Sequence, residues 1–172
     1  MEMQEERPSN ALAQYTEAAH AHLIGLPGAL DLKISIVTSV LVGVLVFALL
    51  IFGRAYGPPG QVHAAIGWSL GLSLCGIGLL VLAIGFGGYA LHFHAHGSHD
   101  NPFSAHGFAA HANGAAMLAA LKERSPQQLL EDRLLHCRDV AIVSVLKGQW
   151  FHRALLCGLA GVVLVGQGVI FK

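Results

Sequence analysis

Long apolar runs without charge alternate with short polar segments along most of this chain. Residues 34–53, ISIVTSVLVGVLVFALLIFG, contain no charged side chain, and residues 64–91 and 154–171 are two further runs of the same kind. Twenty helical residues rise about 30 Å, which matches the hydrocarbon thickness of a bilayer. The pattern therefore predicts an all-α integral membrane protein, a bundle of three or four transmembrane helices with an amphipathic surface helix.

The region before the first run is polar. Residues 1–32 are expected to form a polar N-terminal extension, and residues 33–172 the helical membrane domain. Within the extension we expect a short helix over about residues 10–24, because Gly25 and Pro27 follow it and both oppose helix continuation.

Residues 104–121, SAHGFAAHANGAAMLAAL, decide the number of spans. Alanine favours a helix, and Ser104 after Pro102 resembles an N-cap. Histidine and asparagine are costly in lipid, so the segment is either a third span whose polar groups face a cofactor or neighbouring helices, or an interfacial segment. With four spans, Arg54 and the basic segment 122–153 share one side and both termini lie outside, an arrangement that the charge asymmetry favours. With three spans, that segment and the N-terminus share the inner side.

The segment over residues 125–147 has the signature of an amphipathic helix. Ser125 is a candidate N-cap, Pro126 occupies the first helical position, and Gln128 follows three residues after the cap. Leucines recur at helical spacing in the next turns. The helix is expected to lie on the membrane or on a partner protein.

Two stripes of small residues predict how the first two spans pack. Lipid gives helices no hydrophobic reason to associate, so small residues that let backbones approach each other mark contact faces. We expect the stripes to form one contact between spans one and two. Their members are Ser35, Ser39 and Gly43 on the first span and Gly67, Gly71 and Cys75 on the second.

Composition agrees with a lipid environment. The chain is 54% hydrophobic and 12% charged, whereas soluble domains carry about 25% charged residues. Its formal net charge is zero, which argues against nucleic acid as a main partner.

No hydrolytic or transferase motif occurs in the sequence, so one-electron transfer is the one catalytic activity left open. The three cysteines form no CxxC pair, and those within apolar runs are expected to be small buried side chains.

Histidines supply the candidate cofactor chemistry. In a four-span arrangement they fall into two layers, and neutral imidazole from two facing helices is the ligand set of a bis-histidine haem. The alternative for the loop histidines is a plain interfacial loop, and no metal site beyond tetrapyrrole ligation is predicted. His136 and Cys137 are expected on the surface of the amphipathic helix. The candidate ligands are His63 and His152 in one layer and His92, His94, His106 and His111 in the other.

Three segments resemble helix openings of the membrane cytochrome b family that includes the ascorbate-reducible cytochromes. They are HAAIGW (63–68), FSAHGFAAHANGAAM (103–117) and WFHRALLCGLAGVVLVGQG (150–168). The resemblance implies transmembrane one-electron transfer through haem b. It pairs His63 with His152, and His106 or His111 with His92 or His94, as axial ligands.

A second function is equally compatible with the architecture. Small polytopic chains with polar tails and surface helices also serve as non-catalytic accessory subunits of photosynthetic or respiratory complexes. Such a subunit would bind lipid, chlorophyll and neighbouring subunits. The expected location is the bacterial inner membrane, the thylakoid or the mitochondrial inner membrane.

Overall fold

The computed structural model describes residues 6–56, 67–93, 101–104 and 109–170, and these ranges contain helices and turns but no strand. The main helices are α1 (Glu6–Tyr56), α2 (Gly67–His92), α3 (Gly114–Glu123) and α4 (Pro126–Ile170). Within the described residues, α1, α2 and α4 are the three helices long and apolar enough to cross a membrane. The predicted all-α membrane architecture is confirmed.

The chain divides into two compact units. The polar unit comprises Met1–Leu30 and His94–Val145, and the membrane unit comprises Asp31–Phe93 and Leu146–Lys172. The charge-free parts of α1, α2 and α4 all lie in the membrane unit. The helices α1 and α4 contribute residues to both units.

In the membrane unit, α2 turns a stripe of small side chains towards its neighbours. The buried residues of α2 lie alternately four and three positions apart, a 3.5-residue period that keeps one stripe in contact with partner helices. A Cβ atom on Gly76 would lie 2.7 Å from the backbone oxygen of Gly161 on α4, so the two backbones touch there. The stripe consists of Ser69, Ser73, Gly76, Leu80, Ala83, Gly87 and Ala90.

The first span completes a three-helix core. Thr38 of α1 lies against Gly87 of α2, and Leu41 of α1 lies against Gly158 of α4. Each of the three helices therefore packs against the other two. The central apolar cluster is Leu41, Ala48, Leu80, Ala83 and Val165.

The predicted contact between the two small-residue stripes is wrong. All six of their residues are exposed, and no atom lies within 4 Å of a Cβ built on Gly43, Gly67 or Gly71. The hydroxyl of Ser39 donates a hydrogen bond to the Ser35 carbonyl at 2.9 Å, so this side chain is satisfied within its own helix and can face lipid. The buried stripe on the opposite face of α2 makes the contact instead.

Two predicted helix ends are also wrong. The first helix continues through Gly25 and Pro27 as part of a 51-residue helix. The predicted surface helix and last span are joined in one helix of 45 residues. Pro27 removes one backbone hydrogen bond from the helix. The helix nevertheless continues, because adding helical residues on either side of the proline is cooperative. Helices of about 77 and 68 Å are more than twice the hydrocarbon thickness, so much of each lies outside it.

Residues 104–121 do not form the single helix that a fourth span would need. Residues 110–113 adopt a turn and bends, and α3 starts at Gly114. The Asn113 side chain accepts a hydrogen bond from the Ala116 amide at 2.9 Å, which caps α3. Asparagine stabilises a helix at its start better than in its interior. The ten residues of α3 rise about 15 Å, half a bilayer core, so within the described residues three helices, and not four, are long enough to span it.

The predicted start of the helix after Ser125 is confirmed. The Ser125 amide donates to Gln128 Oε1 at 2.9 Å, and the Gln128 amide donates to Ser125 Oγ at 3.2 Å. These two bonds are a reciprocal capping box, and Pro126 begins α4.

Candidate functional site

A cluster of two histidines, an arginine and a phenylalanine lies in the polar unit. We call it the His–Arg cluster; its members are His20 of α1, Phe103 of the turn over residues 101–104, and Arg133 and His136 of α4. On α4, Arg133 and His136 are three residues apart, a spacing that places both on one helix face.

The turn that carries Phe103 is held by Asn101. The Asn101 side-chain oxygen accepts from the Phe103 amide at 2.9 Å, an Asx turn. The Asn101 carbonyl accepts from the amide of Ser104 at 3.0 Å and from its hydroxyl at 2.8 Å. The Asn101 amide group in turn donates to the Asp132 carbonyl at 2.8 Å. The turn, and Phe103 with it, is thereby fastened to α4.

Aromatic contacts assemble the cluster around Phe103. The His20 ring centroid lies 5.8 Å from that of Phe103 in an edge-to-face arrangement, and 5.7 Å from that of His136. The Cζ atom of Arg133 lies 5.2 Å from the Phe103 ring centroid, a cation–π contact. Three segments distant in sequence therefore meet at one phenylalanine.

Three nitrogen atoms of the cluster are buried without a hydrogen-bond partner. They are His20 Nε2, Arg133 Nε and His136 Nδ1. An unsatisfied buried polar atom costs about 1–3 kcal/mol, and native structures contain few of them. Neither of the two ion pairs found within the described part of the chain includes Arg133, and its neighbour Asp132 pairs with Arg124.

Burial sets the protonation of the two imidazoles, which lie outside the charge-free spans. Burial lowers the pKa of His20 below its usual 6.5, and repulsion from the protonated form of His136 and from Arg133 lowers it further. Burial also lowers the pKa of His136, against an opposing effect of the Asp139 carboxylate. Both rings are therefore neutral at pH 7, and Arg133 carries the positive charge of the cluster.

The expectation that His136 and Cys137 lie on the surface is wrong. Cys137 is 7% exposed, and burial raises the pKa of its thiol. His136 is half-buried against His20. Of the other cysteines, Cys75 is exposed and Cys157 half-buried, so the expectation of buried cysteines fails for Cys75.

The membrane unit contains a buried ion pair. The Lys147 ammonium donates to Asp31 Oδ1 at 2.6 Å and joins α4 to α1. The Lys147 side chain is 2% exposed, and that of Asp31 is 38% exposed. A charge buried beside apolar spans needs such a partner, because an isolated charge in a low-dielectric environment is strongly unfavourable.

Aromatic rings lie near the C-terminal end of α2. The Trp150 ring is 4.8 Å from that of Tyr89 and 5.4 Å from that of Phe86, and Arg153 Cζ lies 4.5 Å over it. Tryptophan and tyrosine concentrate at membrane–water interfaces. This aromatic group therefore marks the end of the apolar part of α2.

An apolar groove runs between α1 and α4 in the same unit. It has a volume of about 290 Å³ and is lined by side chains that include Phe47, Ile51, Val162 and Val169. Its lining offers hydrocarbon contacts, which suit a lipid acyl chain.

The candidate haem ligands are dispersed or lie outside the described residues. His63, His94 and His106 fall outside those ranges. His92 and His152 are exposed residues of the membrane unit, and His111 is half-buried in the polar unit. Within the described chain, no group of three or more His, Cys, Asp or Glu side chains is placed to hold a metal ion. Tetrapyrrole ligation stays a prediction.

The His–Arg cluster is not among the sites predicted from the sequence. His20 and its near neighbour His22 lie differently: His20 is half-buried and His22 is exposed. The available signal was the shared helical face of Arg133 and His136. The contact with His20 bridges 116 positions and leaves no local pattern.

Comparison with known proteins identifies a different family from the one expected. The family PycTM, described as a Pycsar effector protein domain, matches residues 15–172. No curated protein and no solved structure matches the chain. The match supports neither haem-dependent electron transfer nor a place in a photosynthetic or respiratory complex.

The family match overturns the resemblance to the membrane cytochrome b family. It runs through all three segments on which the resemblance rested, residues 63–68, 103–117 and 150–168. Short apolar helix openings recur in unrelated membrane proteins, because lipid selects the same residue types in each. The PycTM match covers most of the chain, including every span, and this integral membrane protein therefore belongs to the Pycsar effector family PycTM.

Proposed function

We propose that this chain is an effector that acts within the bilayer through its three spanning helices. The observation that carries the proposal is the extent of the family match, which includes the membrane unit from Asp31 to Phe93 and from Leu146 onwards. The spans are part of the effector domain and do more than anchor a separate one.

Charge distribution supports an inner location for the polar unit. With three spans, the residues before the first span and those between the second and third lie on the same side of the membrane. Eight of the ten basic residues then lie on that side or at its border, which the positive-inside rule assigns to the cytoplasmic face. They are Arg7, Lys33, Lys122, Arg124, Arg133, Arg138, Lys147 and Arg153, whereas Arg54 and Lys172 lie on the other side.

The outer face of α2 supports self-association as the means of action. A second stripe with the 4-3 spacing runs along α2, is exposed throughout, and has open space at each of its glycines. Small residues let helix backbones approach in lipid, as Gly76 and Gly161 do inside the unit. In this proposal a second copy packs on that stripe and the assembled spans disturb the bilayer. The stripe is Gly67, Gly71, Leu74, Gly78, Val81, Gly85 and Gly88.

The test uses the full chain reconstituted in dye-loaded vesicles. Energy transfer between labelled copies measures association, and dye release measures disturbance of the bilayer. The variant Gly78→Leu should lower both at least threefold, because a large side chain holds the helices apart. The control Gly43→Leu makes the same change at an equally open, exposed position of α1 and should leave both unchanged. Equal effects of the two variants, or no energy transfer in the unaltered protein at any protein-to-lipid ratio, would contradict the proposal.

A further inference from the structure

The His–Arg cluster lacks an acceptor. Its three buried, unpartnered nitrogens belong to neighbouring side chains on two helices. Buried donors in folded proteins nearly always find a protein, water or ligand partner. Three orphaned nitrogens around one phenylalanine indicate that one group, able to accept several hydrogen bonds, belongs among them.

The chemistry of the nitrogens defines that group. Arg133 Nε carries a hydrogen permanently, and neutral His20 and His136 can each carry their single hydrogen on the unpartnered nitrogen. All three atoms can then donate. Arg133 also carries a positive charge that no described acidic side chain neutralises. The charge opposes a metal cation and favours an anion with several acceptor oxygens.

Geometry limits the size of the group. Phe103 lies against the guanidinium of Arg133 and meets the edge of His20, so the ring already occupies one side of the cluster. The three nitrogens are buried, so a group that reaches all of them must be compact. A tetrahedral oxyanion provides at least three acceptor oxygens within a small volume, one for each donor.

We propose that His20, Arg133 and His136 bind a compact oxyanion, the phosphate group of either a soluble ion or a lipid headgroup. The bound group links α1 to α4 within the polar unit. The inference goes beyond the proposed function and does not depend on it, because binding can be measured without vesicle leakage or self-association.

The experiment uses the purified full chain in an uncharged, phosphate-free detergent. Titration with inorganic phosphate, and separately with sulfate, is followed by calorimetry. Native mass spectrometry then measures retention of phosphatidylglycerol against diacylglycerol, which lacks the phosphate. We expect one oxyanion or one phosphate-bearing lipid per chain. Binding of free phosphate and sulfate would identify a soluble ion as the source, and selective retention of phosphatidylglycerol alone would identify the headgroup.

Variants separate a specific site from general charge attraction. Arg133→Gln and His20→Gln should each weaken binding at least tenfold. Arg138→Gln is the matched control: it makes the same change at an exposed arginine five positions along α4, and affinity should be unchanged. Circular dichroism checks that each variant keeps its helices, and His20→Gln stands as the second variant should Arg133→Gln misfold. No binding to the unaltered chain in either arm, or equal losses in Arg133→Gln and Arg138→Gln, would overturn the proposal.

Discussion

A single lysine shows how this protein accommodates charge beside its spans. Lys147 is almost fully buried, and its ammonium is bound by the carboxylate of Asp31. Such a pair contributes little net stability when intact, because desolvation of both charges offsets their attraction. Removing one partner is costly, since the other charge stays buried and unpaired. At this scale the pair acts as a geometric constraint between α1 and α4.

The first prediction concerns this ion pair. Asp31→Asn should lower the free energy of unfolding by about 3 kcal/mol, because it leaves the buried Lys147 ammonium without a carboxylate partner. The apolar double variant Asp31→Leu with Lys147→Met should recover most of that loss. Denaturant unfolding in detergent measures both. Glu131→Gln removes an exposed carboxylate of α4 and is the control, with little change expected. A loss in Asp31→Asn no larger than in the control would show that the pair does not constrain the helices.

At the scale of elements, α2 has two faces with the same spacing and different environments. One stripe is buried against α1 and α4, and the opposite stripe is exposed. The exposed stripe holds five glycines and the buried stripe only two, so glycine content does not mark the buried face. The two stripes differ in the atoms that surround them. A Cβ on Gly76 would meet the backbone of α4, whereas a Cβ on Gly78 would meet open space.

The second prediction uses that contrast within α2. Gly76→Ala should lower the free energy of unfolding by about 1–3 kcal/mol, because the methyl group would force the backbones of α2 and α4 apart. Gly78→Ala, two positions along, should be neutral or stabilising by up to about 1 kcal/mol, because alanine favours the helix and clashes with nothing. Thermal unfolding of the two variants in the same detergent gives the comparison. A higher unfolding temperature for Gly76→Ala than for Gly78→Ala would contradict the packing described.

At the scale of the whole molecule, the number of spans determines which regions share a side of the membrane. Three spans place the N-terminal segment and residues 94–145 together, and these are also the two segments of the polar unit. An odd number of crossings places the two chain ends on opposite sides.

The third prediction tests this topology. Single cysteines are introduced at Tyr15, Gln127 and Ile170, which are all exposed, in a background where the three native cysteines are alanine. A membrane-impermeant thiol reagent should label Tyr15→Cys and Gln127→Cys from the same, inner side, and Ile170→Cys from the other. Labelling of Tyr15→Cys and Gln127→Cys from opposite sides would restore the four-span arrangement.

Local patterns were sufficient for the features that depend on local physics. A charge-free run of about 20 residues predicts a span wherever it occurs, because the cost of charge in lipid does not depend on neighbouring helices. The reciprocal bonds of Ser125 and Gln128 are likewise made within one turn, and the structure confirms them. Local patterns did not predict the family correctly, because short apolar helix openings occur in many membrane proteins and do not identify one family.

The sequence by itself determined that the chain is helical, enters lipid through charge-free runs, and begins α4 at Ser125. Only the tertiary structure decided which stripe of α2 is buried, that the helix passes through Pro27, and that residues 110–113 interrupt the candidate third span. It alone brought His20 to Arg133 and His136. The physical reason is range: helix formation and lipid transfer are governed by neighbouring residues, whereas contact faces depend on partner helices that the chain supplies many residues away.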